Sequence, residues 1–307
     1  MSEPLVWLPF DPEDLGEVPE GLRYEVHRRG VDDRERPSIR DVRFYVPPYE
    51  SLRADSELVA HMPSLEVVQT MTAGVEHIAP YVPDGVLLCN GRGIHDASTA
   101  ELALTLTLAS LRGIPGFVRD QDRRRWTHRP LQALADKRVL IVGYGQIGAA
   151  IEDRLRPFEV RGIDRVARTA RDGVHAQRDL PQLLPHADVV ILVLPATGET
   201  RGMVDRHFLG RMKDGALLVN VARGSIVVSD DLLAELRTGR ICAAIDVTDP
   251  EPLPVHHPLW SAPNLLVSPH VGGASSAMWP RAHALVRAQL RRFARGERLV
   301  NQMTGDY

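Results

Sequence analysis

Arg138-Val139-Leu140-Ile141-Val142-Gly143-Tyr144-Gly145-Gln146-Ile147-Gly148-Ala149-Ala150-Ile151-Glu152-Asp153-Arg154-Leu155 is the stretch on which the reading of the fold turns. After the arginine it is apolar at four successive positions, then spaced G-x-G-x-x-G, then apolar at helical intervals as far as Leu155. A strand without polar alternation is covered on both faces, as in parallel sheets flanked by helices. Gly143 allows a tight turn out of the strand, Gly145 lets backbone come close to a ligand, and Gly148 lets the helix pack against the strand.

The same alternation extends outward in both directions. Apolar runs occupy Val42–Val46, Val67–Met71, Val86–Cys89, Val189–Leu194, Ala216–Val221, Ile241–Val247 and Leu265–Val267, with helical spacing between most of them. Alternating strands and helices predict doubly wound, parallel α/β sheets. Ser98-Thr99-Ala100-Glu101 has the form of a capping box and opens a buried helix to Leu111. Phe117–Asp136 is charged, proline-interrupted and carries Trp126, which reads as a projecting arm. Pro280 and Gly296 bracket a final helix with Leu285, Leu290 and Phe293 on its apolar face.

A strand, a glycine turn and a helix whose N-terminal N–H groups face outward form a cradle for the pyrophosphate of a dinucleotide. Asp164 lies 21 residues after Gly143, at the end of an expected strand Glu159–Ile163, where an acid would accept from a ribose 2′-hydroxyl. That favours NAD(H). Arg165 and Arg168 follow it and would neutralise a 2′-phosphate, so NADP(H) stays open.

Three further residues sit at or just beyond the ends of apolar runs. Arg223 has the planar fork that suits a carboxylate. His270 titrates near neutrality and so both gives and takes a proton. Glu251, between two prolines, is a carboxylate able to fix that imidazole's tautomer and raise its pKa. The other histidines of the 12 lie in loops or on helical stretches, and no spacing of His, Cys, Asp and Glu predicts a metal site.

Bulk properties narrow the class. With 307 residues, 44% hydrophobic, the chain has length for one large or two medium domains. A net charge of −3 excludes nucleic acid as an expected partner, and Arg123–Arg125 and Arg291-Arg292 read as solvated surface. Cys89 and Cys242 sit in apolar runs as free thiols. Met1-Ser2-Glu3-Pro4 lacks a signal peptide's pattern and no apolar run is long enough for a membrane, so a cytoplasmic location is expected.

Gln69–Ile78 (Gln-Thr-Met-Thr-Ala-Gly-Val-Glu-His-Ile), Gly143–Gly148, Ser268–Gly273 and the order Arg223, Glu251, His270 at intervals of 28 and 19 residues resemble the D-isomer-specific 2-hydroxyacid dehydrogenases. The resemblance covers nearly the whole chain. It implies a Rossmann cofactor domain (95–272) inserted in a flavodoxin-like substrate domain (1–94 and 273–307), and a homodimer joined through the arm. It implies hydride transfer between NAD(P)H and a 2-keto acid, giving a D-2-hydroxy acid. Arg223 would bind the substrate carboxylate and polarise the keto oxygen, His270 would be the acid/base and Glu251 its partner. Amides of Ala73, Gly74 and Val75 would help hold the carboxylate. Asp246 would contact the nicotinamide carboxamide, and Gln146, Ile147, Pro195, Thr197, Thr200, Ala222 and Thr99 would line the cofactor groove. Glu251 argues against formate as substrate, because formate dehydrogenases usually carry glutamine there.

Asn90–Asp96 departs from the family's small, neutral segment; Arg92 and His95 are read as structural between the domains in preference to a contact with substrate or cofactor, which stays open. The end at Tyr307, without an added regulatory domain, argues against amino-acid control. A different class on the same fold is a dinucleotide-sensing protein like the C-terminal-binding transcriptional corepressors, which keep the trio. The absence of a disordered tail and of a peptide-docking surface argues against it. A phosphonate or phosphite oxidase is a smaller alternative.

Overall fold

Leu140 and Val142 pack on one face of a sheet while Val139 and Ile141 pack on the other, which is why this run is apolar throughout. The computed structural model describes residues 3–49 and 53–303. Met1-Ser2 and Tyr307, read above from the sequence, lie outside the described residues. The chain forms two compact units, Met1–His95 with Ser276–Tyr307, and Asp96–Ser275.

The first unit contains the strands β1 (Leu5–Leu8), β2 (Arg23–Val26), β3 (Val42–Tyr45), β4 (Val67–Gln69) and β5 (Leu87–Cys89), with the short helix α1 (Arg53–Glu57). All its strand pairs are parallel and the order is β2-β1-β3-β4-β5, the flavodoxin-like arrangement. The two faces of β1 feed separate cores. Val6 and Leu8 meet the helix Met278–Ala294 through Met278, Ala282 and Val286, whereas Leu5 and Trp7 pack with Leu58, Val59 and Ile78.

The second unit begins with α2 (Asp96–Leu111) and α3 (Ile114–Asp122). Its strands are β6 (Arg138–Val142), β7 (Gly162–Ala167), β8 (His175–Ala176), β9 (Val189–Leu192), β10 (Leu217–Asn220), β11 (Cys242–Ile245) and β12 (Leu265–Val267). Between them run α4 (Gln146–Leu155), α5 (Leu180–Leu183), α6 (Arg206–Arg211) and α7 (Ser229–Arg237); Met278–Ala294 is α8. The sheet is parallel, in the order β12-β11-β10-β9-β6-β7-β8. Counted from β6 this is the Rossmann order 3-2-1-4-5-6 with a seventh strand, and the order reverses between β6 and β9. Ligands bind outside the carboxyl ends of the strands at such a switch point.

Several boundaries differ from the sequence expectation. α2 begins at Asp96, so Ser98 lies inside the first turn, and its hydroxyl pairs with Ser275 Oγ at 2.6 Å instead of capping the helix. The arm is partly helical: Gly113 breaks the chain at φ 62° and α3 then runs to Asp122. Pro280 is the third residue of α8, while Gly296 follows its end at φ 65°. β7 starts three residues later than the expected strand Glu159–Ile163, because Glu159 turns at φ 56°.

Candidate active site

The turn after β6 shows why its glycines stand where they do. A Cβ on Gly143, at φ 103°, would lie 2.4 Å from the carbonyl oxygen of Val193, so only glycine lets β6 leave beside the end of β9. A Cβ on Gly148 would lie 2.5 Å from the Gly143 carbonyl, which holds α4 tight on the turn. Around Gly145 nothing lies within 4 Å of such an atom, leaving the backbone open to an incoming group. Gln146 and Ile147 begin α4, with Gln146 exposed. A cavity of about 260 Å³ opens here, lined by Gly143, Tyr144, Gly145, Arg168, Pro195 and Thr200 among others. Thr200 is buried and braces this wall: its hydroxyl donates to Pro195 O at 2.7 Å and accepts from Thr197 N at 2.7 Å. The cradle fits a dinucleotide pyrophosphate at a helix N-terminus.

Asp164 is not at the crevice. It sits mid-strand, opposite Leu140, and its carboxylate takes two hydrogen bonds from Arg138, at 2.5 and 2.9 Å. The shift in β7 is the reason, since the strand runs on to Ala167 and the residue just past its end is Arg168. Arg165 is also committed elsewhere. It is hydrogen-bonded to both oxygens of the buried Glu152, and its guanidinium lies 5.6 Å from the Tyr144 ring centre. The Arg165 hydrogen bonds hold the Glu152 carboxyl down at about 2. Arg168 is exposed at the cavity, with a loose 3.8 Å contact to Glu199.

Arg223, Asp246 and His270 follow β10, β11 and β12, three neighbouring strands, so they emerge along one edge of the sheet. Asn220, fully buried, shapes the first of these turns. Its Nδ2 donates to Arg223 O at 3.0 Å and its Oδ1 accepts from Ala222 N at 3.0 Å. It was missed from the sequence, although an amide at the end of an apolar strand is the usual signal of such a brace. Arg223 is half-buried, and its Nη1 donates to Ala222 O at 2.8 Å.

Asp246, 2% exposed, clasps the loop that presents the histidine. Its carboxylate accepts from Ser268 Oγ at 2.6 Å, Val271 N at 3.0 Å and Gly272 N at 2.8 Å, while its carbonyl accepts from His270 N at 2.7 Å. Three of roughly four acceptor positions on the carboxylate are thus occupied by protein donors. Thr99 closes the other side, donating to Gly272 O at 3.2 Å. His270 has φ 51°, a left-handed backbone that non-glycine residues hold only where the surroundings impose it.

His270 Nδ1 is hydrogen-bonded to Glu251 Oε1. This bond, joined by the glutamate's charge, raises the imidazole pKa against the opposing effects of burial and of Arg223. Burial pushes the Glu251 carboxyl up, but His270, Thr248 N–H and Arg223 together outweigh it and hold it below its ordinary value. The pair therefore favours imidazolium beside carboxylate, with Nδ1 committed to Glu251. Ala73, Gly74 and Val75 follow β4 in the first unit, Gly74 and Val75 buried. Among the described residues no three His, Cys, Asp or Glu gather as metal ligands, and no helix is long and apolar enough to cross a membrane.

Residues 104–272 match the family model for the D-isomer specific 2-hydroxyacid dehydrogenase NAD binding domain. The human glyoxylate reductase/hydroxypyruvate reductase is 32% identical over 253 residues, which are 78% of this chain and 77% of that protein. A D-isomer specific 2-hydroxyacid dehydrogenase family protein from Aeromonas salmonicida superposes with a TM-score of 0.86 at 28% identity, covering 99% of both chains. A D-isomer specific 2-hydroxyacid dehydrogenase from Xanthobacter autotrophicus, solved with NADPH and MES, gives 0.81 at 31% identity over 99% of this chain and 98% of that one.

Proposed function

Because this chain belongs to the D-isomer specific 2-hydroxyacid dehydrogenase family and interconverts 2-keto and D-2-hydroxy acids with NAD(P)H, we propose that it is a reductase of small 2-keto acids such as glyoxylate and hydroxypyruvate, with a preference for NADPH. The observation that carries the chemistry is the Glu251–His270 pair on the same sheet edge as Arg223. When bound, the reduced nicotinamide supplies the hydride to the keto carbon. Arg223 pairs with the carboxylate and donates to the keto oxygen, where negative charge develops. The amides of Ala73, Gly74 and Val75 add donors to the carboxylate. His270 passes the Nε2 proton to that oxygen, which completes the hydroxyl and leaves a neutral imidazole still bonded to Glu251. Being half-exposed, at 48%, the imidazole recovers its proton from solvent. Asp246 keeps the His270 loop in place, and its spare acceptor position suits the nicotinamide carboxamide.

The cofactor preference rests on Arg168. With Asp164 held by Arg138, no carboxylate among the cavity residues repels a 2′-phosphate, and the exposed guanidinium at the end of β7 suits one. Initial rates with NADPH and NADH against glyoxylate, hydroxypyruvate, pyruvate and phenylpyruvate test both parts. The expected outcome is preference for the two smaller polar keto acids and for NADPH. Arg168→Ala then cuts the NADPH/NADH ratio of kcat/KM about tenfold, the value of one charge-assisted hydrogen bond. An unchanged ratio rejects the role of Arg168, and dinucleotide binding without turnover of any keto acid replaces the reductase with a sensor.

The reading extends to a homodimer through the arm. Trp126 is 98% exposed, beside a cavity of about 590 Å³ whose walls include Phe117 and Arg129, the guanidinium lying 4.8 Å from the Phe117 ring centre. A bare indole beside exposed Phe117 and Val118 is the apolar surface expected of a protein contact. Sedimentation should give twice the 34.1 kDa chain mass, and Trp126→Ala with Phe117→Ser should yield monomers. A monomeric wild type at micromolar concentration rejects the dimer.

A further inference from the structure

The segment Asn90–His95, which departs from the family's usual composition, lies along the loop that leaves β4. It receives three successive carbonyls of that loop. His95 Nε2 donates to Met71 O at 2.9 Å, Gly91 N to Thr72 O at 2.7 Å and Asn90 Nδ2 to Ala73 O at 3.0 Å. The approach is as close as backbone allows, since a Cβ on Gly91 would lie 2.5 Å from Met71 O and 2.6 Å from its carbon. In a trans peptide the N–H of one residue points opposite to the carbonyl of the residue before it. Drawing the carbonyls of 71, 72 and 73 onto one side therefore turns the N–H groups of Thr72, Ala73 and Gly74 to the other. Successive N–H groups sharing a side form an anion-binding concavity.

A buried polar network holds the clamp itself. Asn90, 2% exposed, donates from its backbone N to Asn301 O at 3.0 Å, and its carbonyl accepts from Gln69 Nε2 at 3.1 Å. Gln69 Oε1 accepts from Gln289 Nε2 at 2.7 Å, and Gln289 on α8 is bonded to both backbone groups of Val300. Asn301, at φ 57°, donates to the carbonyls of Asn90 and Arg92. An apolar core would serve stability equally well here, so a connected amide network fits a demand for fixed geometry.

We infer that Asn90 and His95 are positioning residues that set affinity for the substrate carboxylate by fixing the direction of the amides of Thr72, Ala73 and Gly74. This rests on the proposed role of Ala73–Val75. Asn90→Asp keeps the shape but places a carboxylate oxygen against Ala73 O, which turns that peptide. The KM for glyoxylate and the Kd of oxamate, a carboxylate of similar size, should rise tenfold or more, with kcat and the KM for NADPH within threefold of wild type. His95→Leu, which lacks the donor to Met71 O, should raise the same two constants, and His95→Gln, which retains an N–H, should restore them in large part. Oxamate binding to the NADPH complex, followed by calorimetry, reads the effect without turnover. Wild-type affinity in Asn90→Asp and His95→Leu overturns the inference while leaving the reductase reading intact. So does a joint fall of kcat, NADPH affinity and melting temperature in all three variants, which marks a merely structural segment. Failure of the wild type itself to bind oxamate or turn over any keto acid rejects the carboxylate role of the loop, and the inference with it.

Discussion

Alanine at position 270 lowers kcat for keto-acid reduction by ~10²–10⁴-fold, the usual contribution of a positioned general acid, while NADPH binds with its wild-type affinity. The separation is expected because the imidazole belongs to the β12 edge, whereas the pyrophosphate cradle belongs to the β6–α4 turn. A matching loss of cofactor affinity would make the histidine structural. Glu251→Gln adds a pH signature. The glutamate's hydrogen bond raises the imidazole pKa, so its loss moves that pKa down. Reduction needs imidazolium: its kcat/KM is level below the pKa and falls as pH rises through it, so the variant's fall begins at lower pH. Oxidation needs neutral imidazole, so the acid limb of its profile also moves to lower pH. Profiles of both directions that do not move would remove Glu251 from the mechanism.

Much of this site was legible because the doubly wound sheet writes itself in the sequence. A strand covered on both faces must be apolar at every position, so Arg138–Val142 and Leu265–Val267 are found with their observed limits. Polar residues just beyond such runs then fall on the sheet's carboxyl edge, where Arg223 and His270 lie; Asp246 lies there too, but inside its run, and was reached only through the resemblance. β7 was less legible because Asp164 and Arg165 interrupt its apolar residues Ile163, Val166 and Ala167, so no continuous run marks its end. The strand lies near the sheet's rim, with the two-residue β8 on its outer side, where Asp164 and Arg165 are tolerated once Arg138 and Glu152 pair with them. Counting 21 residues from Gly143 therefore reached a structural ion pair, three residues short of the end of the strand. Nor do the apolar runs singled out reach β1 and β2, which precede Val42. The clamp at Asn90 was hidden for another reason: its partners are backbone carbonyls 17 to 24 residues upstream and a turn at Asn301, which leave no periodicity to read.

Gly224→Ala is expected to damage activity far beyond its one added methyl group. A Cβ at this position would lie 1.9 Å from Thr248 O, 2.0 Å from Thr248 C and 2.7 Å from Asp249 N. Every one of these is a backbone atom, so no rotamer change relieves the overlap and one of the two loops must move. Gly224 directly follows Arg223, and Thr248-Asp249 leads into Glu251, so the contact fixes the distance between the proposed carboxylate-binding guanidinium and the proposed partner of the acid/base. Displacement of about 1 Å in a reacting constellation costs on the order of 10² in rate, and a loss of that size in kcat/KM is the expected result. Stability should suffer less, by ~1–3 kcal/mol of overpacking. Gly210→Ala, at a position on α6 with nothing within 4 Å of the new atom, is the control that should leave both activity and melting temperature near wild type. Activity of Gly224→Ala within a few fold of that control would mean that the two loops adapt freely and that the Arg223–Glu251 spacing is not what the enzyme depends on.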